Sequence, residues 1–203
     1  MPKVKAEVLA ARRDEILVAA ERCFARQGFH QTTIQEVIKE SGLSAGCIYG
    51  HFTGKDDLIQ AISGRRHARD AALLDRAQGI SDPLEGLRAI ARTSLADLQR
   101  EEGLRSRRIA LQLWAEALRD EAIHRQVTSG IHRPVAEIVK LLRQGQRGGQ
   151  IDPTLNPRGV ARSMVAMFQG FVLQRLWGEP FSTAEAMAAF ELFLSSLVVK
   201  GVR

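Results

Sequence analysis

Residues 32–59 read TTIQEVIKESGLSAGCIYGHFTGKDDLI. Thr33 with Glu36 three positions on is a capping box, and it predicts a helix start. Ile34, Val37 and Ile38 give that short helix an apolar face, and Ser41-Gly42 closes it. Ser44 is an N-cap for a third helix that runs to about His51. Two short helices joined by a tight, Gly-containing turn at Gly42-Leu43 form a helix-turn-helix over 33–52, with Val37, Ile38, Leu43 and Ile48 as its internal core. Helices this short do not stand alone. Thr53 then predicts the cap of a fourth helix, with Asp56 completing its box and Leu58, Ile59 and Ile62 as its buried face.

Outward from that stretch the chain reads as helices to both ends. The first helix is expected over about 12–27. Ile16, Ala19, Ala20, Cys23, Phe24 and Gln27 follow the 3.6-residue stripe, Gly28 ends it, and residues 1–11 precede it as a tail. Past a weak boundary at Gly79–Ser81, Asp82-Pro83-Leu84-Glu85 is a strong start with Pro at the first helical position. Further helices are expected over 104–118 and 120–144. Gly145–Gly149 breaks the chain, and Asn156-Pro157 starts the next helix. Pro180 ends that one, and Ser182 or Thr183 caps the last. The fold class is all-α, with about nine helices. An N-terminal three-helix helix-turn-helix DNA-binding domain spans 12–72, and a helical ligand-binding and dimerisation domain spans 73–203.

Composition narrows the function classes. In 203 residues, 45% are hydrophobic and 26% charged, which is globular composition. The net charge of +6 favours an anionic partner. It is spread out: residues 1–72 hold 11 Lys and Arg against 9 Asp and Glu, and the remainder 18 against 14. Two cysteines, Cys23 and Cys47, make neither a disulfide framework nor a Cys-rich zinc site. No uncharged run reaches the roughly 18 residues that a membrane span needs, and no signal-peptide core opens the chain. A cytoplasmic protein without a membrane, cofactor or metal is expected.

The run 32–59 resembles the DNA-binding signature of TetR-family regulators. The matching features are T-T-I at the second helix, the G-L-S turn, and G-x-I-Y-x-H-F-x-x-K-x-x-L from Gly46 to Leu58. R-x-x-I-L-x-A-A-x-x-x-F-x-x-x-G-F, from Arg13 to Phe29, is similar to that family's first helix. The resemblance is specific over about 12–62 and architectural beyond it, with Gly149–Pro153 and Met164–Phe171 also similar to the family's C-terminal half. It implies a sequence-specific DNA-binding regulator and no enzyme. It further implies that Thr33 contacts phosphate and that Ser44, Ala45, Gly46 and Cys47 open the recognition helix. Tyr49, Gly50 and His51 would then face the groove and its phosphates, and Lys55 a phosphate at the next helix. Ala45, Cys47 and Gly50 depart from the family's usual side chains, so DNA shape and water are expected to carry much of the specificity.

Other features take plainer readings. Gly42–Gly46 matches a hydrolase G-x-S-x-G elbow, but that elbow needs a strand before the serine, and a helix precedes it here. Cys47 is read as a recognition-helix residue rather than a redox sensor. His124 and His132, eight apart, lack the spacing of a metal site. Arg65, Arg66 and Arg69 read as a solvated helix face. Trp114, Met167, Phe168 and Phe171 are candidate contacts for a small-molecule effector. The last two helices carry apolar surface in excess of one small bundle, with Gly170, Ala161, Ala166, Ala188 and Ala189 allowing close crossing. They are expected to form a homodimer that reads a palindromic operator on double-stranded DNA. Release by a ligand acting through the fourth helix is expected. Ligand-independent DNA binding and activation are the near alternatives, and a helical protein-interaction module or a serine hydrolase using Ser44 the remote ones.

Overall fold

A computed structural model of the chain describes residues 2–75, 79–179 and 181–199, with side chains from Ala6 onward. Among the described residues nine helices follow one another. They are α1 (Pro2–Gln31), α2 (Ile34–Ser41), α3 (Ala45–His51), α4 (Lys55–Asp75), α5 (Pro83–Asp97), α6 (Glu101–Glu116), α7 (Glu121–Arg147), α8 (Pro157–Leu176) and α9 (Thr183–Ser195). No helix of the described residues is long and apolar enough to cross a membrane. The chain forms two compact units, residues 1–67 with 105–126 and residues 68–104 with 127–203.

In the first unit, α1 buries Ile16, Leu17, Ala20, Cys23 and Phe24, and α2 packs on it. The helix breaks at Gly28 (φ 87°, ψ 167°), a conformation open to glycine because it lacks a Cβ. Thr32, itself buried, donates its hydroxyl to the Gly28 carbonyl at 2.7 Å and so fixes the exit. Thr33 and Glu36 complete the capping box of α2, and Gly42 ends that helix in the left-handed region with its N–H on the Ile38 carbonyl. Ser44 caps α3 through the Cys47 N–H. Val37, Ile48, Phe52, Leu58 and Ile62 close the core.

The second unit is built on Leu87, Leu95, Leu98, Leu142, Ala161, Ala186 and Leu194, all at 1% exposure or less. Helix α5 starts at Asp82, whose carboxylate accepts the Glu85 N–H, with Pro83 in the first turn. It packs on α9 and α8. Its Arg88 Nε reaches both carboxylate oxygens of Glu191 on α9, at 3.2 and 3.0 Å. Asn156 caps α8, and Ser182 with Glu185 forms a second capping box at α9. The chain after α7 is stitched to the end of α9, where Asp152 N–H donates to the Leu197 carbonyl and Ile151 bridges Val198.

Several expectations are corrected. The stretch 1–11, expected as a tail, is helical from Pro2. Pro2 suits a first turn, and the Ala, Lys, Glu, Val and Leu that follow tolerate a helix without an apolar stripe to announce it. Thr53 donates its N–H to Asp57 (3.0 Å), four positions on, rather than pairing with Asp56. Helix α7 continues through Gly145 to Arg147 with Pro134 inside it, so the break is at Gly148-Gly149. Arg65, Arg66 and Arg69 are not a solvated face. Arg65 pairs with Asp14 and Glu21, and Arg66 is buried. Arg69 donates to the buried Asp97 at 2.7 Å. By contact, residues 105–126 group with the N-terminal helices. Pro180, expected to end α8, lies outside the described residues.

Candidate nucleic-acid interface

Helix α3 has two sides. Ile48 points inward with no exposure, and Cys47 and His51 are partly buried. Ser44, Ala45, Gly46, Tyr49 and Gly50 are exposed, and the spacing of 45, 46, 49 and 50 puts them on one helical face. A Cβ added at Gly46 or at Gly50 would meet nothing within 4 Å. The face is therefore low, formed of small residues, with Tyr49 (54% exposed) standing up from it. Such a surface lets the backbone come close to a groove while one phenol reaches out to donate to a phosphate or base edge.

Capping decides which hydroxyls remain available. Ser44 Oγ accepts the Cys47 N–H at 3.2 Å, which leaves its own O–H to donate outward. Thr33 Oγ1 accepts the Glu36 N–H and donates to Glu36 Oε2. For Thr33 to contact phosphate, its hydroxyl must turn from that carboxylate. Donors from Gln27 and from Thr33 hold the Glu36 carboxyl below its usual range. Lys55, partly buried, opens α4 immediately after the recognition helix. Cys47 and Cys23 are both free. Burial raises the Cys23 thiol above its ordinary value, so it serves as a small core residue.

The candidate effector residues divide between the units. Trp114, on α6, is partly buried in the first. Met167, Phe168 and Phe171 are partly buried in the second, packed against its core. Phe171 lies 5.2 Å from the Phe181 ring and 6.2 Å from Phe190.

Two features of the first unit have no signal in the sequence. The break at Gly28 frees the backbone at the end of α1, and Gln112 of α6 takes it up. Its Nε2 donates to the Phe24 carbonyl at 3.0 Å, and its Oε1 accepts the Phe29 N–H at 2.9 Å. One turn later Glu116 meets His30 at 2.9 Å. The second feature is Arg13, whose guanidinium lies 5.0 Å over the Phe52 ring.

Comparison with known proteins gives this geometry a context. Residues 16–62 match the model described as bacterial regulatory proteins, tetR family. Residues 83–199 match the BetI-type transcriptional repressor C-terminal model. The chain is 40% identical over 96 residues to the HTH-type transcriptional repressor Rv1474c of Mycobacterium tuberculosis, which covers 47% of each protein. It is 27% identical to the HTH-type transcriptional regulator UidR of Escherichia coli, over 78% of each. Among solved structures, a SmeT–triclosan complex superposes with a TM-score of 0.76 at 26% identity, covering 95% of this chain and 94% of that one. The helix-turn-helix of 33–52, its supporting helices and the match across 83–199 lead to one conclusion: the chain belongs to the TetR family and is a DNA-binding transcriptional regulator, not an enzyme.

Proposed function

We propose that the chain is a repressor that binds a palindromic operator as a homodimer and leaves it when a small molecule occupies the C-terminal part. The observation that carries the reading is the low, exposed face of α3, with Ser44, Ala45, Gly46, Tyr49 and Gly50 outward and Ile48 buried. Cys47, His51 and Lys55 border that face, and Thr33 opens α2 before it. In a helix-turn-helix this face meets the major groove, and a twofold dimer reads two half-sites one helical turn apart. A bacterial repressor works beside the chromosome, in the cytoplasm.

Homodimer formation is supported by what α8 and α9 leave uncovered. Trp177 is 70% exposed and Leu192 75%. Ala166 and Ala188 are exposed as well, and a Cβ at Gly170 would meet open space. The effector would contact the partly buried Met167, Phe168 and Phe171 of the second unit. The names of relatives favour repression, and the solved SmeT–triclosan complex favours a small-molecule effector. Helix α4 is continuous from Lys55 to Asp75 and, like α6 and α7, contributes to both units; it alone of these follows directly on the recognition helix, which favours it as the element through which an effector would act. To weaken operator binding 1000-fold, the effector must favour the released state by about 4 kcal/mol.

The test is selection of bound sequences from a random duplex library at about 0.15 M salt, where nonspecific phosphate binding is weak. A palindrome with half-sites one turn apart is the expected result. Enrichment of a lone half-site would overturn the dimeric reading, and no enrichment would overturn operator recognition by α3.

A further inference from the structure

Helix α1 begins well before the part of it that the fold buries. Every side chain from Ala6 to Glu15 is exposed, and Ile16 is the first buried one. Residues 2–13 hold Lys3, Lys5, Arg12 and Arg13 against Glu7 alone. The two arginines differ. Arg12 is neutralised by Glu15 at 2.6 Å. Arg13 makes no ion pair or hydrogen bond among the described residues. Its guanidinium carbon lies over the Phe52 ring, 5.0 Å from the centroid, within cation–π reach.

That contact fixes where the charge sits. Phe52 caps the recognition helix α3, and its backbone N–H is bonded to the Ile48 carbonyl. His51 precedes it and Lys55 follows three positions later, so Arg13 stands over the segment that joins α3 to α4. A guanidinium that uses its face on a ring keeps its N–H edge free for an anion, in a planar fork that matches phosphate. Other arginines of this unit are already committed: Arg22 and Arg26 to Glu40, Arg65 to Asp14 and Glu21.

We infer that Arg13 is a DNA-phosphate contact flanking the recognition helix, held in place by the Phe52 ring. The inference rests on DNA binding by this unit and adds a residue to it. The contact fixes register and affinity and carries no base information.

The test uses the full chain and a labelled duplex of arbitrary sequence, with binding measured by fluorescence anisotropy between about 50 and 200 mM NaCl. Each phosphate contact adds about 0.9 to the slope of log affinity against log salt. Arg13→Gln is expected to make the slope shallower by about 0.9 for each copy of the chain on the duplex, while Arg13→Lys keeps it. Arg12→Gln, whose charge Glu15 already offsets, is expected to leave the slope near the wild type. A wild-type slope in Arg13→Gln, whatever its melting temperature, overturns the inference. So does an equal change in Arg12→Gln, which would make the effect one of overall charge. A wild-type protein without salt-dependent binding would instead defeat the DNA-binding reading on which both rest.

Discussion

The recognition helix α3 and the terminal helices α8 and α9 each leave a face bare, and the two faces are opposite in kind. On α3 the exposed residues are small or polar, with one upright Tyr49. On α9, and at Trp177 just past the end of α8, they include two large apolar side chains, Leu192 and Trp177, together with Ala166, Ala188 and polar residues such as Arg162 and Gln174. Exposing two large apolar side chains on adjoining helices costs water contacts that a second apolar surface would remove. Exposing Ala45, Gly46 and Gly50 costs almost nothing, and it suits a partner that must approach the backbone and stay hydrated. On the proposed reading one face meets a second copy of the chain and the other meets nucleic acid, and a substitution on either tests it separately.

The largest effect is expected on the apolar face. Trp177→Glu with Leu192→Glu places charges where a partner would bury them. Light scattering is expected to report the 22.4 kDa monomer in place of a dimer. Operator affinity is expected to fall by roughly 10²–10⁴-fold, because two half-sites no longer act on one molecule. An unchanged mass would place the dimer contact elsewhere.

The next effect sharpens the contrast on α3. Gly46→Leu adds a side chain that the free protein has room for, since nothing lies within 4 Å of a Cβ there. Operator affinity is expected to drop about 100-fold, or roughly 2.7 kcal/mol. Gly50→Ala is expected to raise folding stability by roughly 0.5–1 kcal/mol, because glycine in a helix interior loses more chain entropy than alanine. If Gly46→Leu binds operator as well as the wild type does, the backbone does not approach DNA on this face.

A third effect concerns how α3's unit is held together. Gln112→Ala leaves the Phe24 carbonyl and the Phe29 N–H without their shared partner. A loss of about 1–3 kcal/mol in denaturant unfolding is expected. An unchanged midpoint would mean that water replaces the amide.

What the sequence made legible, and what it did not, divides by range. The caps at Thr33, Ser44, Asp82, Asn156 and Ser182 each involve residues two or three apart, so local chemistry announces them. The helical class and the helix-turn-helix followed from those caps and from the apolar stripe of α1. Gln112 meets Phe24 and Phe29 across 88 and 83 residues, and nothing local marks a glutamine for that task. Arg65, Arg66 and Arg69 sit close together on one helix, which suggests a solvated face. The partners of Arg65 and Arg69, namely Asp14, Glu21 and Asp97, come from elsewhere in the chain. Arg13 was legible only as a letter in a motif, because its contact with Phe52 needs α1 and α3 brought together.

The smallest effect is common to both units and tests the caps themselves. Asp82 lies below its ordinary value of 3.8 chiefly because it accepts the Glu85 N–H. Glu185 lies below 4.5 because Ser182 donates to it, and Glu36 lies below 4.5 through donors from Gln27 and Thr33. A carboxyl depressed in the folded state contributes stability that is complete above its unfolded value and is lost as pH falls through the lower, folded one. Melting temperature is therefore expected to hold from pH 7 to about 5 and to decline below about 4. Glu36→Gln and Glu185→Gln are expected to melt lower than the wild type at pH 7 and to converge with it in acid, since the wild type gives up the same charge there. The effect stays small because these carboxylates face solvent, where water and salt screen them. Variants that ran parallel to the wild type at every pH would show that the caps act through chain geometry and not through charge.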